Sequence, residues 1–95
     1  MTIRFTTDTE APNGKLANAE MHFGEGPLAG LKLIGFEVWE RRDGRRMVMM
    51  PARQTSVNGE RRSIALLRDL DSAYGSSLRL RDLILAAYAA EGVVS

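Results

Sequence analysis

Apolar and polar residues alternate with period two over the first two-thirds of the chain and shift to a helical period near its end. Thr2-Ile3-Arg4-Phe5-Thr6-Thr7 is β-branched and alternating, and Pro12-Asn13-Gly14 is a turn signal, because Asn-Gly readily takes the positive φ angles of hairpin turns. A first hairpin is predicted there. The returning strand, Leu16 to Phe23, sets Ala17, Ala19, Met21 and Phe23 on one face and Leu16, Asn18, Glu20 and His22 on the other, the pattern of a sheet with one solvated side. Gly24-Glu25-Gly26-Pro27 ends it.

A third strand follows over Leu31 to Glu40, with Ile34, Phe36 and Val38 on one face and Leu33, Gly35, Glu37 and Trp39 on the other. Asp43-Gly44 is the second strong hairpin signal. The fourth strand, Met47 to Met50, is closed by Pro51, which has no N–H for a ladder bond. Asn58-Gly59 marks a further turn, and Arg62 to Leu66 reads as a short fifth strand, although Ile64, Leu67 and Leu70 also fit one face of a helix. Leu80, Leu83, Ile84, Ala87 and Tyr88 then recur at helical spacing. Ser76 or Ser77 is placed to cap that helix and Gly92 to terminate it. These signals together predict one α+β domain over residues 1–95: an antiparallel meander of four to five strands, mainly within 1–66, and one amphipathic helix over 76–91.

Charge changes this picture more than composition does. The net charge of +1 hides a polarity: residues 1–40 balance at −3, whereas residues 41–95 hold ten arginines against six acids. Seven arginines fall between Arg41 and Arg62, around the Asp43-Gly44 turn and its continuation. Arginine carries a rigid fork of donors that suits phosphate and base edges, so such a cluster points to nucleic acid rather than to a catalytic pocket. The competing reading of the same cluster is a solvated, aggregation-resistant surface in which Arg79 and Asp82 form a helix i, i+3 pair.

The chain has no cysteine, which excludes disulfides and thiolate metal sites and agrees with a reducing cytoplasm. It has no apolar signal core and no bilayer-length apolar run, so a soluble cytoplasmic protein is the default expectation. His22 is the single histidine, with no acid arranged around it in a recognisable catalytic spacing. Gly24 to Gly30 fails as a dinucleotide loop, since its third glycine comes one place late and no helix pattern follows. No enzyme activity, cofactor, metal or small-molecule substrate is expected. Trp39 and the methionines Met47, Met49 and Met50 read as core or subunit-contact residues rather than as a base-stacking platform or ligand box. At this length a second copy of the chain would help to bury apolar surface, and a homodimer is expected.

Met50-Pro51-Ala52-Arg53, followed by Asn58-Gly59-Glu60-Arg61-Arg62-Ser63-Ile64-Ala65, resembles the Met-Pro-Ser-Lys/Arg and Asp-Gly-Glu-Phe/Tyr-Arg-Asp-Ile-Ala signature of the stage V sporulation protein G family (SpoVG, the septation regulators). Leu80-Arg81-Asp82-Leu83-Ile84-Leu85-Ala86-Ala87-Tyr88 is similar to that family's Ile-x-Asp-Ala-Val-Leu-x-x-Tyr, and Asn13-Gly14-Lys15-Leu16 to its Asp-Gly-Arg/Lys-Met/Leu turn. The order and spacing of these pieces carry the likeness. It implies a small, usually dimeric α+β protein that binds DNA or RNA and influences septation, cell division or sporulation-stage gene expression in bacteria. It further implies that polar residues near the helix start help to choose the nucleic acid.

Carried onto this chain, the matching positions are Ser76, Ser77, Arg79 and Arg81, and the arginine cluster adds Arg53, Arg61 and Arg62 as candidate nucleic-acid contacts. The chain departs from the family pattern where Ser77 stands for a basic residue, Arg61 for an aromatic and Ser63 for an acid. Independently of the resemblance, Arg79 and Arg81 project from the first turns of the predicted helix, where free backbone N–H groups favour phosphate. The alternative from another class is a protein-interaction module with no nucleic-acid role, which dimerises through an exposed strand edge and recruits a partner by adding a strand.

Overall fold

Turn chemistry decides the architecture, and each predicted hairpin closes where its glycine can take a positive φ. A computed structural model describes residues 1–91. Strands β1 (Thr2–Thr6), β2 (Lys15–His22), β3 (Lys32–Glu40) and β4 (Arg46–Met49) form one antiparallel sheet in sequential order. Gly14, at φ +95°, lies so close to the chain that its carbonyl accepts the Glu40 N–H at 2.7 Å, and an added Cβ would meet Glu40 O at 3.1 Å. At the next turn Gly44 has φ +87°, and Arg41 N–H donates to the Arg45 carbonyl at 2.7 Å.

The chain does not continue as a single meander. The predicted fifth strand, extended to β6 (Glu60–Ala65), pairs with β5 (Ala52–Val57) in a separate two-stranded ribbon. Two physical causes separate it from the main sheet. Pro51 stops the β4 ladder, and Arg53-Gln54-Thr55-Ser56 offers no apolar face to bury, so the segment pairs locally across its own turn. Asn58 (φ +52°) and Gly59 (φ +81°) both take the left-handed values of a type I′ hairpin. Helix α1 (Ser76–Glu91) follows a short 3₁₀ turn at Ser72–Tyr74 and lies across the main sheet, packing on β4 and β1. Gly92, the expected helix stop, lies outside the described residues.

The core is the inner face of the main sheet closed by α1. Ala17, Ala19, Met21, Phe36, Val38 and Val48 meet Ile84 and Tyr88, with Phe36, Val38 and Ile84 fully buried. Tyr88 makes an edge-to-face contact with Phe5, ring centroids 5.4 Å apart, and carries the Arg46 guanidinium 5.1 Å over its ring. Among the described residues no polar or charged residue is buried.

Three facing assignments differ from simple alternation. Between Ala19–Phe36 and Met21–Leu33 the β2–β3 register gains one residue on β3, a bulge at Ile34-Gly35. Gly35 sits there at φ +105°, against Pro51, and the shift brings Leu33 rather than Ile34 toward the core; Ile34 is exposed. A second irregularity between Lys15 and Ala17 brings Leu16 against the core as well. On α1, Leu80, Ile84 and Tyr88 face inward as the periodicity predicts, but Leu83 is exposed and Leu85 packs against the core in its place. The helix crosses the sheet so that its inner stripe runs on the Leu85 side of the Ile84–Tyr88 line.

The outer face of the main sheet is open. Trp39, half-buried there, donates its indole N–H to Glu37 Oε1 at 2.8 Å, and Lys15 Nζ pairs with Glu37 Oε2 at 3.5 Å. By register Met47 and Met49 stand beside them, whereas Met50 reaches the core. Farther along the same face His22 Nε2 meets Glu20 Oε1 at 2.6 Å and Lys32 Nζ approaches the same oxygen at 3.4 Å.

Candidate nucleic-acid interface

The seven candidate residues separate into two groups on the folded chain. Arg53, Arg61 and Arg62 belong to the β5–β6 ribbon, and Ser76, Ser77, Arg79 and Arg81 to the first turns of α1. All five of these arginines are exposed. They differ in what holds them.

At the helix start the N-cap role passes to an acid from the preceding loop. Ser77 N–H donates to Asp69 Oδ1 at 2.8 Å and Ser77 Oγ donates to Asp69 Oδ2 at 3.0 Å. The carboxylate thus takes one orphan donor of the first turn and faces the positive end of the helix dipole. The sequence offers Ser76 or Ser77 as the cap; instead Ser77 is held by Asp69, and Ser76 Oγ accepts from Arg79 Nη2 at 3.1 Å. Arg79 is therefore folded back over Gly75 and Ser76, and the helix terminus already carries its anion. No sequence pattern announced Asp69, which lies eight residues before Ser77 and outside the capping-box spacing.

Arg81 looks elsewhere. With Arg41 and Arg46 it lines an open groove of about 560 Å³ between the β4 edge, the foot of the ribbon and α1. Ser63 and Ala52 form the ribbon side, Leu78 and Leu85 the helix side, and Asp82 is the acid on its wall. Arg46 is anchored by its stacking on Tyr88, so one guanidinium of the groove is already held in place. The hairpin arginines are visible in the sequence as charge at a turn; their meeting with Arg81, some forty residues later, depends on α1 crossing over β4.

The ribbon carries the remaining arginines on both of its faces. By register Arg53 and Ile64, Thr55 and Arg62, and Val57 and Glu60 share one face, while Gln54 and Ser63, and Ser56 and Arg61, share the other. Every ribbon residue is exposed except the half-buried Thr55. Arg62 Nη2 pairs with Glu60 Oε2 at 3.6 Å, and Gln54 Nε2 donates to Ser63 Oγ at 3.2 Å. Both contacts are exposed to water, where an ion pair contributes about 0–1 kcal/mol and is readily exchanged.

The outer sheet face carries acids of its own, Glu37 beside the groove residue Met49 and Glu20 farther along. There Glu20 titrates below the ordinary glutamate range, first because its carboxylate is hydrogen-bonded to His22 and then because Lys32 is close. Among the described residues no group of three or more His, Cys, Asp or Glu side chains is placed to hold a metal ion, and no helix is long and apolar enough to cross a membrane. No family model matches this chain, and neither a curated protein nor a solved structure matches it.

Proposed function

We propose that this chain is a nucleic-acid-binding regulatory protein that contacts the polyanion through its ribbon and groove arginines. One observation carries the reading: a two-stranded ribbon with Arg53, Arg61 and Arg62 exposed stands beside a groove lined by Arg41, Arg46 and Arg81. An isolated two-stranded hairpin gains little stability in water, and this one spends its side chains on guanidinium groups rather than on a core. The connection to septation, cell division or sporulation-stage gene expression in bacteria rests on the resemblance of its motifs to the SpoVG family. The chemistry needed is binding alone, with no catalytic step.

Fluorescence anisotropy with pooled single- and double-stranded DNA and RNA, titrated across salt, tests this reading. Each phosphate neutralised should add about 0.9 to the slope of log affinity against log salt on duplex DNA, and about 0.7 on single strands. An Arg79→Ala/Arg81→Ala variant should flatten that slope, chiefly through Arg81, since Arg79 is folded onto Ser76. Absence of binding to every pool at low salt overturns the proposal.

A protein-interaction reading has its own observation. Leu66, Leu70 and Tyr74 are exposed along the segment that joins the ribbon to α1, with Leu78 exposed in the first turn of α1, and Leu70 is 99% exposed. Apolar surface of this kind is what a second copy would cover, and it supports a homodimer as part of the same proposal. Sedimentation at high concentration tests it: a clean monomer removes the dimer and leaves nucleic-acid binding to be judged by itself.

A further inference from the structure

We infer that the Ala52–Ala65 ribbon is a reading arm for duplex DNA, inserted tip-first into the major groove, with its strands facing the phosphate walls and its turn facing the bases. This deepens the nucleic-acid reading above and rests on it. It selects B-form DNA over RNA and separates base-reading residues from backbone-neutralising ones.

Shape is the first argument. Each strand has six residues, so the arm extends about 20 Å at about 3.4 Å per residue. A two-stranded ribbon is among the few elements that the B-DNA major groove, about 12 Å wide and 8.5 Å deep, admits. The major groove of A-form RNA is too narrow and deep for side chains to read. At this depth roughly the last two or three residues of each strand enter, which confines base contact to Val57, Asn58, Gly59 and Glu60 and their immediate neighbours.

Charge placement is the second argument. The arm holds three arginines against one acid, Glu60, and distributes them over both faces, Arg53 and Arg62 on one and Arg61 on the other. An arm that lay flat on a surface would need one basic face. One standing between two phosphate strands needs two.

Tip chemistry is the third. An asparagine amide can bond adenine N6 and N7 together, a carboxylate can accept from cytosine N4, and an apolar side chain can meet the thymine methyl. Asn58, Glu60 and Val57 supply one of each around a turn that positive φ angles at Asn58 and Gly59 hold in shape. In the free protein Glu60 is paired with the exposed Arg62, whose guanidinium is released to phosphate when the acid turns to a base.

The experiment measures anisotropy of the full chain against a random-sequence DNA duplex of about 20 base pairs, the matching RNA duplex and single strands, across salt. Wild type should prefer the DNA duplex. An Arg53→Gln/Arg61→Gln/Arg62→Gln variant should lose up to about 2.7 from the salt slope, at about 0.9 per phosphate contact. Its thermal midpoint should be unchanged, because the arm adds nothing to the buried core. On a duplex enriched from the pool by selection, Asn58→Gly preserves the turn and should weaken binding roughly 5- to 150-fold, with little effect on the random pool.

Methylation of guanine N7, which points into the major groove, should interfere with binding to the enriched duplex. Wild-type binding with an unaltered slope in the triple variant, or equal affinity for the RNA duplex, overturns the arm while leaving the broader function intact. Failure of wild type to bind any nucleic acid at low salt overturns both.

Discussion

Removing the Asp69 carboxylate tests whether α1 is capped from the preceding loop or by its own serines. Asp69 accepts two bonds from Ser77, at 2.8 Å from the backbone N–H and 3.0 Å from Oγ, in a half-buried position. Loss of an N-cap typically costs about 1 kcal/mol, within a range of about 0.5–2. A bond to a charged acceptor adds to the neutral value, and removal of the anion from the helix N-terminus withdraws a further few tenths. Asp69→Ala should therefore destabilise by about 1.5 kcal/mol. For a domain of this size that corresponds to a fall in Tm of roughly 6–12 °C.

The control is Ser76→Ala, which removes only an exposed acceptor for Arg79 and should stay within about 0.5 kcal/mol of wild type. Urea unfolding followed by circular dichroism measures both. Reversal of the order, with Ser76→Ala costly and Asp69→Ala neutral, would refute the capping assignment and restore the reading based on local spacing. The same substitution has a second readout. It removes a negative charge beside the helix start and leaves the Ser77 N–H free, so affinity for nucleic acid should rise if that end of α1 faces phosphate.

Ile84→Ala, at a fully buried position, should cost about 2–5 kcal/mol, whereas Leu83→Ala, one residue earlier on the exposed side, should cost well under 1 kcal/mol; chemical denaturation separates them. Gly35→Ala should destabilise by more than about 1 kcal/mol because it forces a side chain onto φ +105° with its Cβ 3.2 Å from Pro51 Cβ, and a neutral result would mean that the bulge is absent. Arg46→Ala should lower stability by about 0.5–1 kcal/mol through loss of its stacking on Tyr88, the one arginine substitution here expected to reach the fold. Glu20, lowered by His22 and Lys32, favours the folded state at pH values above the ordinary glutamate range, and this contribution is lost as pH falls through its folded value; carbon-detected NMR titration should show His22→Ala moving that value upward.

Alternation and turn residues made the main sheet legible, because each strand from β1 to β4 turns apolar side chains toward the core and the segment that follows each carries a glycine or proline. β5 was hidden for the opposite reason. Arg53-Gln54-Thr55-Ser56 has no apolar period, and its strand state comes from pairing across Asn58-Gly59 rather than from burial. The exchange of Ile34 for Leu33 at the core turns on a one-residue bulge, which inverts the facing of Leu33 relative to Phe36 and Val38 without altering composition. At the candidate interface the residue types could be read directly, but their grouping could not. Arg41 and Arg81 share a groove only through the way α1 crosses β4, and the contact between Asp69 and Ser77 depends on a loop path that periodicity does not describe.

The division of labour within the chain follows from where polar groups are absent. The core contains no buried polar or charged residue among those described, so stability rests on apolar packing between the inner sheet face and α1. The ribbon contributes arginines and almost no burial. A chain organised this way can vary its ribbon and groove with little penalty to folding, because side chains that touch only water in the free state are released from packing constraints. Arg46 is the point at which the two meet, since its guanidinium lines the groove while its stacking on Tyr88 reaches the core that Phe5 completes. An anion in the groove would draw on a residue already fixed by the core, so Arg46→Ala should lower both affinity and the Tm of the free protein, whereas substitution of a ribbon arginine should lower affinity and leave that Tm unchanged.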